Sequence, residues 1–154
     1  MIVIYYDVGG AHSSCAAANM HIGKLPMDRV PSGKELLSLP TFDKIEKKDI
    51  AHLIFIGEDE YKNKVYTISC QRKDKYILSA LKDMYKELTG STKGLILACT
   101  QPAVNILMKI GGCSSRRFHL VSFGRPIVIK GTQKAYFNIR DIVKIAKQNM
   151  KHDV

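Results

Sequence analysis

Several features are missing from this sequence, and each absence argues against a class of protein. No apolar segment approaches the roughly 20 residues of a membrane-spanning helix, so we expect no membrane anchor. The first residues lack a basic segment, and their short apolar run ends at Asp7, so we expect no signal peptide and a cytoplasmic protein. The four cysteines form neither a CxxC pair nor a Cys-x5-Arg loop, which argues against a zinc knuckle and a cysteine phosphatase.

Acidic residues are scarce relative to basic ones. The chain has 14 Asp and Glu against 24 Lys and Arg, which gives a net charge of +10. Such a charge attracts nucleic acid, nucleotides or acidic proteins, although it is also compatible with a merely solvated basic surface. The lysines are scattered, and aromatic residues do not alternate with them as a stacking surface for bases, so nucleic acid is the weaker of these partners.

The first 23 residues predict a buried strand, a glycine turn and a helix. Residues 2–6 are apolar or aromatic strand formers, and the sequence Asp-Val-Gly-Gly at residues 7–10 ends the strand. Serines at positions 13 and 14 suit the start of a helix, where hydroxyl groups cap unpaired amides. A turn of this kind presents main-chain N–H groups and a helix dipole to an anion. We therefore expect a phosphate group or nucleotide to bind at this turn.

The turn does not match the phosphate-binding sequence GxxxxGK[ST]. Aligning Ser13 with the final hydroxyl puts His12 at the lysine, Ala11 at the second glycine and Tyr6 at the first glycine. The alternative interpretation is a structural turn with a serine helix cap. The residues that we expect to bind phosphate are Gly9, Gly10, Ala11, Ser13, Ser14 and, at a later strand end, Arg125.

Three residues are candidates for catalysis. His12 suits proton transfer, although a histidine that caps the helix is the alternative. Asp7 and Asp59 each follow a predicted strand, and together with a bound phosphate they could hold Mg²⁺. Asp59 is also compatible with a solvated hairpin turn.

The rest of the chain alternates predicted strands and helices. Strands are predicted at residues 51–56, 64–71, 95–99, 118–123, 127–130 and 136–137. Helices are predicted after a capping box at Ser32 and Glu35, from Asp74 to a C-cap at Gly90, and from residue 100 to the Gly111-Gly112 pair. A last helix starts at Asn138 or Asp141, and the tail from about residue 148 is expected to fray.

This order predicts one α/β domain over residues 1–154. We expect a three-layer, Rossmann-like or P-loop-like arrangement, with a mainly parallel sheet and one antiparallel hairpin. Ligands of such sheets bind beyond the carboxyl ends of the strands. That rule gathers residues 7–14, 57–60, 100–101 and 122–125 at one edge.

Two further hypotheses differ in class. A non-enzymatic regulatory protein would use the basic surface for an acidic partner or nucleic acid. Thiol chemistry would pair Cys15 with Cys99, although a buried apolar role suits Cys99 better. The sequence does not determine the ligand, the reaction or the oligomeric state.

Several linked segments resemble a known family. They are IYYDVGGAHSS followed by AAANMHIGKLP, then PSGKELLSLPTFDK and FIGEDEYKNKVYT. Together they resemble the uncharacterised Firmicute domain-of-unknown-function family 3189, with the densest similarity in about the first 70 residues. The resemblance implies a single-domain cytosolic bacterial protein of about this length. It transfers no catalytic residue, so the predicted site depends on the chemistry of the residues above.

Overall fold

The chain forms an α/β domain around one mixed sheet, as predicted. The computed structural model describes residues 1–116 and 121–152. The strands are β1 (Ile2–Asp7), β2 (Ile54–Glu58), β3 (Lys64–Ser69) and β4 (Leu95–Cys99). The α-helices are α1 (Ser13–His21), α2 (Gly33–Ser38), α3 (Asp74–Thr89), α4 (Ile106–Arg116) and α5 (Val121–His152). Short 3₁₀ helices lie at Lys47–Asp49 and Gln101–Ala103.

The strand order is β2-β3-β1-β4. β1 runs parallel to both β3 and β4, whereas β2 pairs antiparallel with β3, which confirms the predicted hairpin. Because β1 is central, the turn that follows it lies between the carboxyl ends of β3 and β4. This is the edge at which ligands of open α/β sheets bind.

The side chains of β1 alternate between two hydrophobic cores, so helices cover both faces of the sheet. Ile4 belongs to the core beneath α3, with Ile68 and Leu78. Val3 and Tyr5 belong to the larger core, which also contains residues of α1 and α5. Every residue of α1 is buried, and its alanines let the helix lie close to the sheet. The three-layer arrangement is therefore confirmed.

Two local signals gave accurate helix boundaries. Ser32 and Glu35 form a complete capping box at the start of α2, with the Glu35 N–H donating to the Ser32 hydroxyl at 3.2 Å. Gly90 follows α3 in the left-handed conformation at φ 82° and its N–H donates to the Lys86 carbonyl. In both places a short side chain or a glycine satisfies the helix end within the local sequence.

The predictions for the last third of the chain are wrong. Residues 127–130 and 136–137 are not strands, and no separate helix starts at Asn138 or Asp141, because all of them lie within α5. Of the strand predicted at residues 118–123, positions 118–120 lie outside the described residues, and Ser122 and Phe123 belong to α5. The helix also continues past residue 148, where a frayed tail was expected. Among the described residues, no helix is both long and apolar enough to cross a membrane.

The glycine pair at 111–112 lies inside α4 and does not end it. The reason is a close crossing of α4 and α5. A Cβ atom at Gly111 would lie 2.5 Å from the backbone nitrogen of Val128, and one at Gly131 would lie 2.8 Å from the backbone nitrogen of Met108. Glycine is therefore needed for the backbones to approach, and this contact outweighs the low helix propensity of glycine.

Candidate functional site

The turn after β1 is organised around the carboxylate of Asp7, which is 5% exposed. Its Oδ1 accepts a hydrogen bond from the Gly10 N–H. Its Oδ2 accepts from the Ser13 hydroxyl and from the Ser14 N–H at 3.2 Å. The single proton of the Thr100 hydroxyl has three possible acceptors, which are Asp7 Oδ2 at 3.3 Å, the Tyr6 carbonyl at 3.2 Å and the Ser13 hydroxyl at 3.1 Å. A carboxylate of the protein itself thus occupies the start of α1, which is where the helix dipole favours negative charge.

This arrangement changes the interpretation of the predicted phosphate cradle. Two of its amides, those of Gly10 and Ser14, already donate to Asp7, and Ala11 and Ser13 are fully buried. A phosphate on the same amides would meet the negative charge of Asp7 at short range. The binding of phosphate at Gly9, Gly10, Ala11, Ser13 and Ser14 stays a prediction, and the hydrogen bonds of the turn do not favour it.

Asp59 does not lie near Asp7, so the predicted Mg²⁺ site that combines them is wrong. β2 runs antiparallel to its neighbour, and Glu58 is in register with Lys64, which is itself in register with Ile2 at the start of β1. Asp7 is at the other end of β1, five residues or about 17 Å away. Among the described residues, no group of three or more His, Cys, Asp or Glu could hold a metal ion.

A second cluster lies beside the turn and joins three distant parts of the chain. The Nε2 atom of His12 lies 3.1 Å from Oδ1 of Asp43, and the Nε of Arg125 donates to the other oxygen, Oδ2, at 3.2 Å. The Asp43 side chain is fully buried, whereas 10% of the His12 side chain and 36% of the Arg125 side chain are exposed. Asp43 also has a left-handed backbone at φ 56°.

Two described residues pack against the ring of His12. The Phe42 ring contacts it edge-on, with the ring centroids 5.4 Å apart. On another side lies Gly112, where an added Cβ would be 3.0 Å from Cε1 and 3.3 Å from Nδ1 of His12. Both distances are shorter than ordinary van der Waals contact, so glycine at this position lets α4 pack closely against the His12 ring. In the part of the chain that the structure describes, Nδ1 has no hydrogen-bond partner.

A second His–Asp pair, at the opposite end of β1, provides a useful contrast. His21 Nδ1 lies 2.7 Å from the Tyr5 hydroxyl and its Nε2 lies 3.3 Å from Asp59 Oδ2. Burial, with Lys147 nearby, lowers the pKa of His21, and burial raises the pKa of Tyr5. Burial also pushes the pKa of Asp59 upward, but hydrogen bonds from Asn63 outweigh this and hold it below its usual value.

These directions fix the protons of that network. A neutral His21 donates from Nε2 to the ionised Asp59, and the Tyr5 hydroxyl donates to Nδ1. The His21 side chain is fully buried, and both of its ring nitrogens are satisfied. We interpret this pair as structural, whereas Nδ1 of His12 has no hydrogen-bond partner among the described residues and lies at the edge where open α/β sheets generally bind ligands.

The structure separates the two cysteines of the thiol hypothesis. Cys15 belongs to the core under α1, and burial raises the pKa of its thiol to about 12. Cys99 is in register with Tyr6, whose hydroxyl it contacts, and Tyr6 packs in the core beneath α3. The two thiols therefore lie on opposite faces of the sheet, and their pairing is wrong.

Two residues of the cluster were missed from the sequence. Asp43 stands in a charged segment for which no strand or helix was predicted, and its spacing from His12 matches no motif. Gly112 was interpreted as a helix end. Arg125 does lie at the predicted edge, but it extends from α5 and not from the end of a strand.

The comparisons with known proteins identify the family. The chain belongs to the family described as "Protein of unknown function (DUF3189)", whose model matches residues 2–148 of the 154. No curated protein and no solved structure matches the chain.

Proposed function

We propose that this member of the DUF3189 family binds a small phosphate-bearing ligand beside His12 and Arg125, and that His12 exchanges a proton with it. The observation that carries the proposal is that only one of the two ring nitrogens of His12 is hydrogen-bonded among the described residues. Asp43 contacts Nε2 of His12, while Nδ1 lies beside Gly112 and has no hydrogen-bond partner among the described residues. The ligand thus lies next to the predicted glycine turn, on side chains instead of the turn amides.

Asp43 gives the histidine a defined proton arrangement. A carboxylate on Nε2 favours the tautomer with the proton on that nitrogen, which leaves a lone pair on Nδ1. In this form His12 accepts a proton from a bound hydroxyl or water, and in its protonated form it donates one. General acid–base catalysis by such a group contributes about 10²- to 10⁴-fold to a rate.

Arg125 supplies the positive charge for the ligand. Among the described residues its hydrogen bonds use only Nε, so the two terminal nitrogens remain available in a partly exposed side chain. A planar guanidinium suits the oxygens of phosphate, and its bond to Asp43 holds it next to the imidazole. The two residues can therefore contact neighbouring atoms of one anionic group.

Calorimetric titration with inorganic phosphate, a nucleoside diphosphate and a sugar phosphate tests the binding step, with and without Mg²⁺. We expect at least one ligand to bind, and Arg125→Gln to weaken that binding by about tenfold or more. Arg140→Gln is the matched control, because Arg140 is on the same helix and pairs with the neighbouring Asp141. If no ligand produces heat, or if both variants bind equally well, the proposal is wrong.

Nitrogen NMR of the imidazole rings tests the role of His12 separately. We expect the Nδ1 signal of His12 to be that of an unprotonated acceptor and to shift when the bound ligand is added. The same signal of His21 should stay unchanged, since Tyr5 already donates to it. A proton on Nδ1 of His12 in the neutral ring would contradict the proposed tautomer.

A further inference from the structure

The outer edge of β4 is an unprotected strand edge. β4 pairs with β1 on one side, and no strand pairs with its other side in the described part of the chain. The Thr100 N–H donates inward to the Tyr6 carbonyl at 2.9 Å. Because strand residues alternate, the N–H groups of Leu97 and Cys99 point outward.

The sequence of β4 does nothing to block this edge. Its five residues, LILAC, include no charged side chain and no proline, and four of them are half-buried. Natural edge strands usually carry lysine, proline or a bulge, since an open apolar edge recruits other strands. An edge without these features is suited to pairing with a further strand.

An apolar groove accompanies the open edge. A groove of about 220 Å³ lies between β4 and α5, where Ile96 and Ala98 face Ile142 and Ile145. Ile145 is 56% exposed. Asn149 and Ile96 also line a second, larger depression of about 630 Å³, so the two are continuous. Main-chain hydrogen bonds and an apolar groove together are the requirements for binding an extended peptide.

The charge of the surface selects the kind of peptide. Lys82 and His152 line the larger depression beside Leu95, and none of the described residues that line either depression is acidic. The whole chain carries a net charge of +10, so a second copy would be repelled, whereas an acidic segment would be attracted.

We propose that β4 and the groove along α5 bind an extended, acidic segment of another protein, which adds a fifth strand to the sheet. Its apolar side chains enter the groove beside Ile145, and its acidic residues lie near Lys82. This surface is separate from His12 and Arg125, so it does not depend on the proposed ligand site.

The test uses a fluorescent peptide with the sequence DEVTVTVED and its lysine counterpart KKVTVTVKK. We expect the acidic peptide to bind at least tenfold more tightly, and more weakly as salt is raised. Two further peptides carry N-methyl groups on alternate backbone nitrogens, one on the odd-numbered and one on the even-numbered positions. One of these two peptides should not bind, because its methylated nitrogens are those that donate to β4. Equal binding of both peptides, or of both methylated forms and the parent, would overturn the proposal.

Variants of the protein locate the surface. Lys82→Glu should weaken binding by about tenfold, whereas Lys86→Glu, one turn along α3 and outside the groove, should change it less than twofold. Leu97→Pro removes an outward N–H without breaking a bond to β1, and it should abolish binding. Equal effects of the two lysine variants would contradict the placement. A dimer of the free protein that dissociates in Leu97→Pro would show instead that a second copy covers this edge.

Discussion

Replacing Asp7 with asparagine tests whether this carboxylate stabilises the fold or binds a metal ion. Its two oxygens accept from Gly10, Ser13 and Ser14, and the Thr100 hydroxyl lies 3.3 Å from Oδ2. These donors come from the turn, from α1 and from the end of β4. If the carboxylate joins these elements, its loss should destabilise the protein without any ligand present.

The size of the effect follows from these bonds. An asparagine oxygen can serve the donors now on Oδ2, but its NH₂ group then faces the N–H of Gly10. A buried N–H without an acceptor costs about 1–3 kcal/mol. The bonds from Ser13 and Ser14 lose the assistance of charge, which is worth about 0.5 kcal/mol for each. We therefore expect Asp7→Asn to lower the free energy of unfolding by about 2–4 kcal/mol.

Urea denaturation followed by circular dichroism at neutral pH measures this loss. Asp83→Asn, on the exposed face of α3, is the control and should stay within about 0.5 kcal/mol of the parent. The same measurements are made with EDTA and with millimolar MgCl₂. A loss of unfolding free energy below about 1 kcal/mol for Asp7→Asn would refute the structural role of Asp7. That role would also be refuted if MgCl₂ stabilised the parent protein but not the variant.

Three further measurements test other contacts. Gly111→Ala should lower the free energy of unfolding by about 1–3 kcal/mol in urea, although alanine favours helices, because its Cβ would lie 2.5 Å from the backbone of α5. Protein stability should fall as the pH drops below about 6.5, by up to about 1.4 kcal/mol per pH unit, because folded His21 binds a proton less readily than unfolded His21. Urea titrations should show that the unfolding free energy depends less on pH in His21→Gln and as strongly as in the parent in His52→Gln. If the pH dependence is unchanged in both variants, His21 is not its cause. Iodoacetamide at neutral pH should label the exposed Cys113 and spare the buried Cys15 until urea is added, as read by mass spectrometry.

The first two thirds of the fold could be predicted because local signals agree with the tertiary structure there. The strand–turn–helix start, the capping box at Ser32, the hairpin of β2 and β3 and the C-cap at Gly90 each depend on neighbours within a few residues. The position of Asp59 was nevertheless wrong. An antiparallel β2 ends at the opposite edge of the sheet from β1, so the predicted hairpin is itself incompatible with a site that joins Asp59 to Asp7.

The last third failed because a tertiary contact overrides local preference. The Gly111-Gly112 pair and the sequence Gly124-Arg125-Pro126 are typical of turns, yet both lie inside helices. The helical signal was present in the apolar spacing. The buried apolar residues of α5 recur mostly at intervals of three, four or seven, with Tyr136 directly after Ala135, and they are Val128, Ala135, Tyr136, Ile139, Val143, Ala146 and Met150. The close backbone contact that requires Gly111 cannot be recognised from one sequence, because its partner lies 17 residues away.

The polar groups of the turn and of the two His–Asp pairs differ in how many of their atoms are hydrogen-bonded within the protein. The oxygens of Asp7 and the ring nitrogens of His21 all have protein partners, and these bonds hold β1 and α1 in place. Among the described residues, His12 and Arg125 are each bound to Asp43 through one nitrogen, and in the proposed function their other nitrogens contact the ligand. Ligand binding and proton transfer need a side chain that is held in position and still has an atom available for a hydrogen bond. The geometry therefore favours Nδ1 of His12 and the guanidinium of Arg125 over the amides of the glycine turn as the ligand contacts of the proposed function.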